Sequence, residues 1–265
     1  MKQLLILFLC GLSFSFLGQK KPKKIELKGI SGTAIMRKTE NEIQCEKRAI
    51  QEAKVEALRQ AGVSENISSF TSFIKQESDG KYEEIFKSNF LNDINGHVVV
   101  NQIHAFEKTY DQWQNKVIKA RIDVTVLKFD TEKDLTFTAK VEGIRSTGYL
   151  SSEKVEFTIT PNRNMYVRIF DIVNNKSYPV YPNALEPDKL LIKGEKQSFP
   201  TTNQLNYEFV FDGQKESHNF MIVMLKEDIP YNGSEDPEKV LEWLFNIPPN
   251  ERKIEAFTFD VLKAN

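Results

Sequence analysis

The stretch Cys45–Gly62, CEKRAIQEAKVEALRQAG, carries the strongest secondary-structure signal in this chain of 265 residues. Cysteine or alanine recurs every four residues along it, at positions 45, 49, 53, 57 and 61. Residues four apart share one face of an α-helix, so the stretch predicts a helix with a ridge of very small side chains. Such a ridge lets a helix lie close against a sheet, and Gly62 is placed to end the helix. Cys45, on this ridge, is expected to be buried.

The residues before and after this helix extend the pattern. Residues 25–37 predict a strand. Thr39 and Glu42 have the spacing of a capping box at the start of the helix, with Asn41 as another cap. Residues 63–94 predict a linker and a second helical region.

A β-hairpin is the next clear element. Apolar and polar residues alternate over 118–126, which predicts a strand with one buried and one solvated face. Its partner strand is expected over 97–110, with the turn at 111–116. The order strand, helix, helix, strand, strand predicts an α+β domain over residues 25–130, with its helices on one face of a small sheet.

From residue 131 the pattern changes to short apolar strands separated by turn residues. This predicts a sandwich-like, mostly β domain over 131–265. Six strands are expected, at 135–141, 155–160, 165–171, 207–211, 220–225 and 257–262. One helix is expected to interrupt them, with Asp236 as its N-cap and Pro237 in its first turn.

Residues 1–18 have the anatomy of a cleavable signal peptide. Lys2 precedes an apolar run over 4–17 that is too short to cross a bilayer, and residues 19–24 follow as a basic tail that is expected to be flexible. The sequence therefore predicts export to the periplasm or the cell surface of a Gram-negative bacterium. Cys10 lies inside the apolar run and follows a leucine rather than a small residue, so lipidation of Cys10 is not expected.

Composition and motifs point away from catalysis. The chain has 36 Lys and Arg against 37 Asp and Glu, and this balance lacks the basic excess of nucleic-acid-binding proteins. The histidines, His97, His104 and His218, are scattered, and together with Cys45 they show none of the usual zinc-ligand spacings. The sequence has neither a Gly-x-Ser-x-Gly elbow nor a phosphate loop. No catalytic residue, metal site or cofactor is therefore expected.

The basic tail is the first candidate for binding. Lys20, Lys21, Lys23 and Lys24 suit a peripheral contact with an anionic membrane or polymer, made through charge alone. The alternative is a flexible, solvated N-terminus.

The second candidate is the interaction loop YPVYPN, in which Tyr178, Tyr181, Pro182 and Asn183 are the contact residues. Tyrosines between prolines form a stiff, amphipathic surface that loses little entropy on binding. The alternative is a structural turn whose rings cover the edge of the sandwich.

The N-terminal half carries a resemblance to a known family. The strand with Gly29 and Gly32, followed by the alanine ridge of residues 49–61, resembles the N-terminal domain of flagellar assembly protein T and a group of small envelope lipoproteins. Those relatives act in envelope assemblies through protein contacts, and the resemblance implies the same here. It does not imply a membrane anchor, because this chain lacks their lipobox.

The C-terminal half contains four stretches that carry a second resemblance, namely Met165–Asp171, Val180–Asn183, Leu191–Glu195 with Phe199-Pro200, and Met221–Pro230. In this order they resemble the domain-of-unknown-function family 4384 of bacterial envelope proteins. The second of them looks like the most recognisable element of the family, an aromatic-Pro-Asn turn. The family has no agreed chemistry, so the resemblance implies a fold and a location rather than an activity.

These observations predict a non-enzymatic exported protein that takes part in a cell-envelope assembly, such as a secretion, motility or outer-membrane complex. Its partners are expected to be other envelope proteins. The alternative is a binding module for an envelope glycan or peptide, and a hydrolase is a distant third.

Overall fold

The computed structural model describes residues 22–38, 40–63 and 96–264. Its N-terminal part is a four-stranded antiparallel sheet with helix α1 (Glu42–Gln60) packed on one face. The strands are β1 (Lys23–Ile35), β2 (Gly96–Ile103), β3 (Glu107–Tyr110) and β4 (Lys116–Lys128). The central strand β4 pairs with β1 along one edge and with β2 and β3 along the other. The predicted hairpin is confirmed, although its first arm is divided into two strands.

Helix α1 begins at a capping box that differs from the predicted one. The side chain of Asn41 accepts a 2.9 Å hydrogen bond from the backbone N–H of Gln44, and the side chain of Gln44 accepts one of 2.9 Å from the N–H of Asn41. The predicted pairing with Glu42 is therefore wrong and the alternative cap, Asn41, is right. Thr39 lies outside the described residues.

The small-residue ridge lies directly against the sheet, as predicted. Cys45, Ala49, Ala53 and Ala57 are fully buried. A side chain on Gly32 of β1 would overlap the backbone of α1 at Ala49 and Ala53. The helix therefore packs backbone to backbone on β1, which requires both the ridge and the glycine.

The start of β1 corrects one expectation about the basic tail. Lys23 pairs with Lys128 and Lys24 pairs with Leu127 in the ladder between β1 and β4. These two lysines are strand residues rather than part of a flexible tail, because β4 is long enough to pair with them. The signal-peptide region, Lys20, Lys21 and the predicted second helix lie outside the described residues.

The C-terminal part is mostly β and sandwich-like, as predicted. Its larger sheet has the order β10-β9-β13-β14-β6. These strands are β6 (Tyr149–Leu150), β9 (Tyr166–Val173), β10 (Lys176–Tyr181), β13 (Lys215–Leu225) and β14 (Arg252–Leu262). Two small sheets, β11-β8-β5 and β12-β7, are formed by β5 (Ala139–Glu142), β7 (Lys154–Val155), β8 (Phe157–Pro161), β11 (Gln197–Phe199) and β12 (Tyr207–Glu208).

The predicted helix is present as α2 (Pro237–Phe245), and a short 3-10 helix (Pro249–Glu251) follows it. Asp236 caps α2 through a 2.9 Å hydrogen bond from the N–H of Glu238. The predicted strand at 135–141 begins only at Ala139, because Asp134 holds a turn before it by accepting hydrogen bonds from the N–H groups of Thr136 and Phe137.

Strand β13 is buried on both faces of the larger sheet. Phe220, Ile222 and Met224 belong to the core between the larger and the small sheets. The alternate residues Met221 and Val223 belong to a second core on the opposite face. Strand β13 therefore separates two apolar cores.

The second core crosses the predicted domain boundary after residue 130. It joins Leu58 of α1 and Val124 of β4 to Phe170 of β9 and Leu244 of α2. At its edge the rings of His97 and Phe245 stack with centroids 5.0 Å apart. Helix α2 thus packs between the two parts, and their apolar cores are continuous.

Candidate functional site

The candidate loop at Tyr178–Asn183 is divided between a strand and a turn. Tyr181 is 1% exposed, packs its ring edge-on against Phe199 and ends strand β10. Pro182 follows a cis peptide bond, and the side chain of Asn183 accepts hydrogen bonds from the N–H groups of Leu185 and Glu186. Tyr181 and Asn183 therefore have internal roles. Tyr178, in contrast, is 38% exposed.

Behind this turn lies a fully buried carboxylate, Glu186. Its Oε2 accepts a 2.7 Å hydrogen bond from the hydroxyl of Tyr207 and one of 3.2 Å from the amide of Asn183. Its Oε1 accepts a hydrogen bond from the N–H of Thr201. Burial, together with the hydrogen bond and charge of Glu186, raises the pKa of Tyr207 well above its usual range. Glu186 therefore anchors both ends of the segment Thr201–Tyr207.

That segment forms one wall of a polar groove with a volume of about 690 Å³. The floor is the outer face of the small sheet, where Glu142 and Ser198 flank Thr158 in the pairing of β5, β8 and β11. The remaining lining consists mostly of hydrogen-bonding and charged groups, namely Lys154, Glu156, Lys196, Thr202, Asn203 and Asn206, with Leu205 and Pro200. The volume is within the usual range of ligand sites, about 300–1,000 Å³.

A second exposed feature is the turn between β3 and β4. The exposed fractions of Tyr110 and Trp113 are 67% and 72%. The carboxylate of Asp111 accepts hydrogen bonds from the N–H of Trp113 at 2.9 Å and from the N–H and side-chain amide of Asn115 at 2.8 and 3.0 Å. The hydrogen bonds from Asn115 and Trp113 hold the pKa of Asp111 below its ordinary value. The turn is therefore fixed from within while it presents an aromatic pair to solvent.

His218 is the most heavily engaged histidine. Its Nδ1 lies 2.8 Å from Oδ2 of Asp171, and its Nε2 lies 3.0 Å from Oε2 of Glu216. Burial alone would lower its pKa, but the hydrogen bonds and charges of the two carboxylates outweigh burial and raise it. Both ring nitrogens contact carboxylates, so His218 is engaged within the fold rather than set beside a nucleophile.

The remaining histidines and Cys45 do not lie together in one site. His104 contacts Asp123 at 3.1 Å. Burial, and to a lesser extent the charge of Lys54, lowers the pKa of His97 to about 3. Cys45 is buried as expected, and burial raises the pKa of its thiol. Within the described ranges, no group of three or more His, Cys, Asp or Glu side chains is arranged to hold a metal ion. Among those same residues, no helix has the length and apolar character needed to cross a bilayer.

Comparison with known families supports the interpretation of the C-terminal half. Residues 149–227 match the model of the Domain of unknown function (DUF4384). The matched stretch runs from β6 to just beyond β13 and contains Glu186, Tyr207 and most of the groove. The predicted resemblance of the C-terminal half is therefore confirmed. No curated protein matches the chain.

Proposed function

We propose that this protein is a non-enzymatic, exported component of a cell-envelope assembly, such as a secretion, motility or outer-membrane complex. It acts by contact with other envelope proteins. The signal-peptide pattern of residues 1–18 supports the location. The resemblance of the N-terminal half to flagellar assembly protein T supports the class of function.

The observation that carries the proposal is the exposure of Trp113 and Tyr110 on a turn that Asp111 holds in place. Tryptophan and tyrosine are the aromatic residues most enriched in binding hot spots. A turn that is already ordered loses little conformational entropy when a partner covers it. Gln112 and Gln114 flank the indole in sequence, so the turn fits a partner surface with an apolar pocket and a polar rim.

The test is the substitution Trp113→Ala in the full chain, purified from gently solubilised envelopes. We expect the variant to lose its co-purifying proteins and to keep the melting temperature of the wild type, because the indole is 72% exposed. The matched control is Val210→Ala in the C-terminal part, whose side chain is 70% exposed. A wild-type protein recovered alone as a soluble monomer contradicts the proposal.

The groove favours a second candidate function, a binding module for a hydrophilic ligand, either an envelope glycan or a peptide. Its lining is rich in amide, hydroxyl and charged groups, which suits a ligand with many hydrogen-bonding groups. Isothermal titration of the full chain with N-acetylchitotetraose and with short peptides tests this candidate. If neither the oligosaccharide nor any of the peptides binds, this second function is excluded.

A further inference from the structure

We infer that the groove between the Thr201–Tyr207 segment and strands β5, β8 and β11 is a binding site for an extended peptide segment. The inference rests on the second proposed function and narrows its ligand to one class. It is carried by the unused polar groups of the groove, by the arrangement of its charges and by the buried carboxylate that shapes its wall.

Four of the polar side chains in the groove have no hydrogen-bond partner among the described residues. Thr158, Ser198, Asn203 and Asn206 make no side-chain hydrogen bond to any other residue in the part of the chain that the structure describes. An asparagine amide offers both a donor and an acceptor, and so does each hydroxyl. A peptide backbone also presents both donors and acceptors, so these side chains can pair with its N–H and C=O groups.

The charged groups in the groove are of both signs. Lys196 lies 3.6 Å from Glu142, whereas Lys154 and Glu156 have no ion pair among the described residues. A ligand with both acidic and basic side chains can form ion pairs with Lys154 and Glu156, but a neutral glycan cannot.

Among the described lining residues of the groove there is no flat, exposed aromatic face, the feature that usually binds sugar rings. Of its described lining residues only Phe157 and Phe199 are aromatic, and they are 2% and 1% exposed. Both rings belong to the core beneath the groove. These two rings therefore cannot stack against a pyranose ring, and the lining favours a peptide over a glycan.

The wall of the groove is shaped in advance. A carboxylate costs free energy to bury, and Glu186 is fully buried with both oxygens hydrogen-bonded. Its bonds fix the two ends of the wall, at Thr201 and Tyr207, before any ligand arrives. A preformed wall lowers the entropy lost on binding, which is the usual design of a recognition site.

The test uses a random heptapeptide library displayed on phage, panned against the full chain. Enriched sequences are synthesised with a fluorescent label, and their dissociation constants are measured by anisotropy. We expect the double variant Asn203→Ala with Asn206→Ala to bind them about tenfold or more weakly, because two ligand hydrogen bonds are lost. The matched control is Gln204→Ala, which lies between the two asparagines but does not line the groove. It should bind as the wild type does.

Each other outcome overturns the inference in a recognisable way. Enriched peptides that bind the double variant and the wild type equally place the site elsewhere. N-acetylchitotetraose that binds the wild type and not the double variant makes the ligand a glycan, and the second proposed function then survives without the peptide. If the library yields no enriched sequence and the oligosaccharide does not bind, both the peptide inference and the second proposed function are excluded. All the variants change exposed side chains, so equal melting temperatures verify that the fold is retained.

Discussion

The hydroxyl of Tyr207 lies 2.7 Å from Oε2 of Glu186, and both side chains are buried. Asn183 donates to the same carboxylate at 3.2 Å, so the bond joins the aromatic-Pro-Asn turn to the far end of the groove wall. The sequence makes Tyr178, Tyr181, Pro182 and Asn183 a candidate contact surface, with a structural turn as the alternative. In the structure the side chains of Tyr181 and Asn183 support the groove from behind.

The substitution Tyr207→Phe should destabilise the protein by about 1–3 kcal/mol, because it removes a donor from a buried carboxylate without removing the ring. Urea unfolding followed by circular dichroism measures the change in the free energy of unfolding. Tyr178→Phe is the matched control, and it should change stability by less than about 0.5 kcal/mol, because its side chain is exposed at the sheet edge. Equal losses in the two variants would contradict the role given to Glu186.

The ion pair of His218 predicts a pH dependence of stability. Asp171 and Glu216 raise the pKa of the folded histidine above the unfolded value, which is about 6.5, although burial opposes them. The folded state therefore holds the proton more tightly, and this contribution is complete below about pH 6.5 and is lost as the pH rises through the folded pKa. In His218→Gln the decline of unfolding free energy above pH 6.5 should be shallower than in the wild type. The free energy of unfolding of both proteins is measured by urea unfolding from pH 5 to 9. Parallel dependences on pH would contradict the stabilising role of the His218 ion pair.

Gly32 predicts an unusual cost for a small substitution. Replacing glycine by alanine in a strand normally lowers the entropy of the unfolded chain and stabilises the fold slightly. At position 32 the new Cβ would overlap the backbone of α1 at Ala49 and Ala53, so Gly32→Ala should destabilise by at least about 3 kcal/mol. The control is Ser31→Ala, at the preceding residue, whose side chain lies on the opposite face of β1. It should change the free energy of unfolding by no more than about 0.5 kcal/mol. Thermal unfolding of both variants checks the pair, and a mild effect at Gly32 would mean that α1 lies farther from β1.

Elements with a long apolar period could be predicted from the sequence. The ridge from Cys45 to Ala61, the alternation along β4 and the capped helix α2 each extend over two or more turns or several strand residues, so periodicity fixes both their type and their buried face. Strands β6, β7 and β11, of two or three residues, are too short to show a period. They are defined by their pairing with β14, β12 and β8, which are distant in the sequence.

The candidate site is harder to predict, because the burial and hydrogen bonding of its central residue, Glu186, arise only in the folded structure. Glu186 stands in a polar stretch, Asn183–Lys189, that looks like a surface loop. Its burial depends on donors from Asn183, Thr201 and Tyr207, which no local pattern connects. The turn at 111–116 was predicted, but the exposure of Trp113 depends on how Asp111 folds that turn.

The core around α2 predicts that the two parts of the molecule unfold together. Leu244 is fully buried in the cluster that joins Leu58 of α1 to Phe170 of β9, so Leu244→Ala should cost about 2–5 kcal/mol. Because the cavity would lie in a core shared by both parts, amide hydrogen exchange should speed up in β4 and in β13 alike. Leu135→Ala, whose side chain is 75% exposed, serves as the control and should leave both strands protected. Faster exchange in β13 with unchanged protection in β4 would show that the two parts unfold independently, and that the shared core adds little to the stability of the N-terminal sheet.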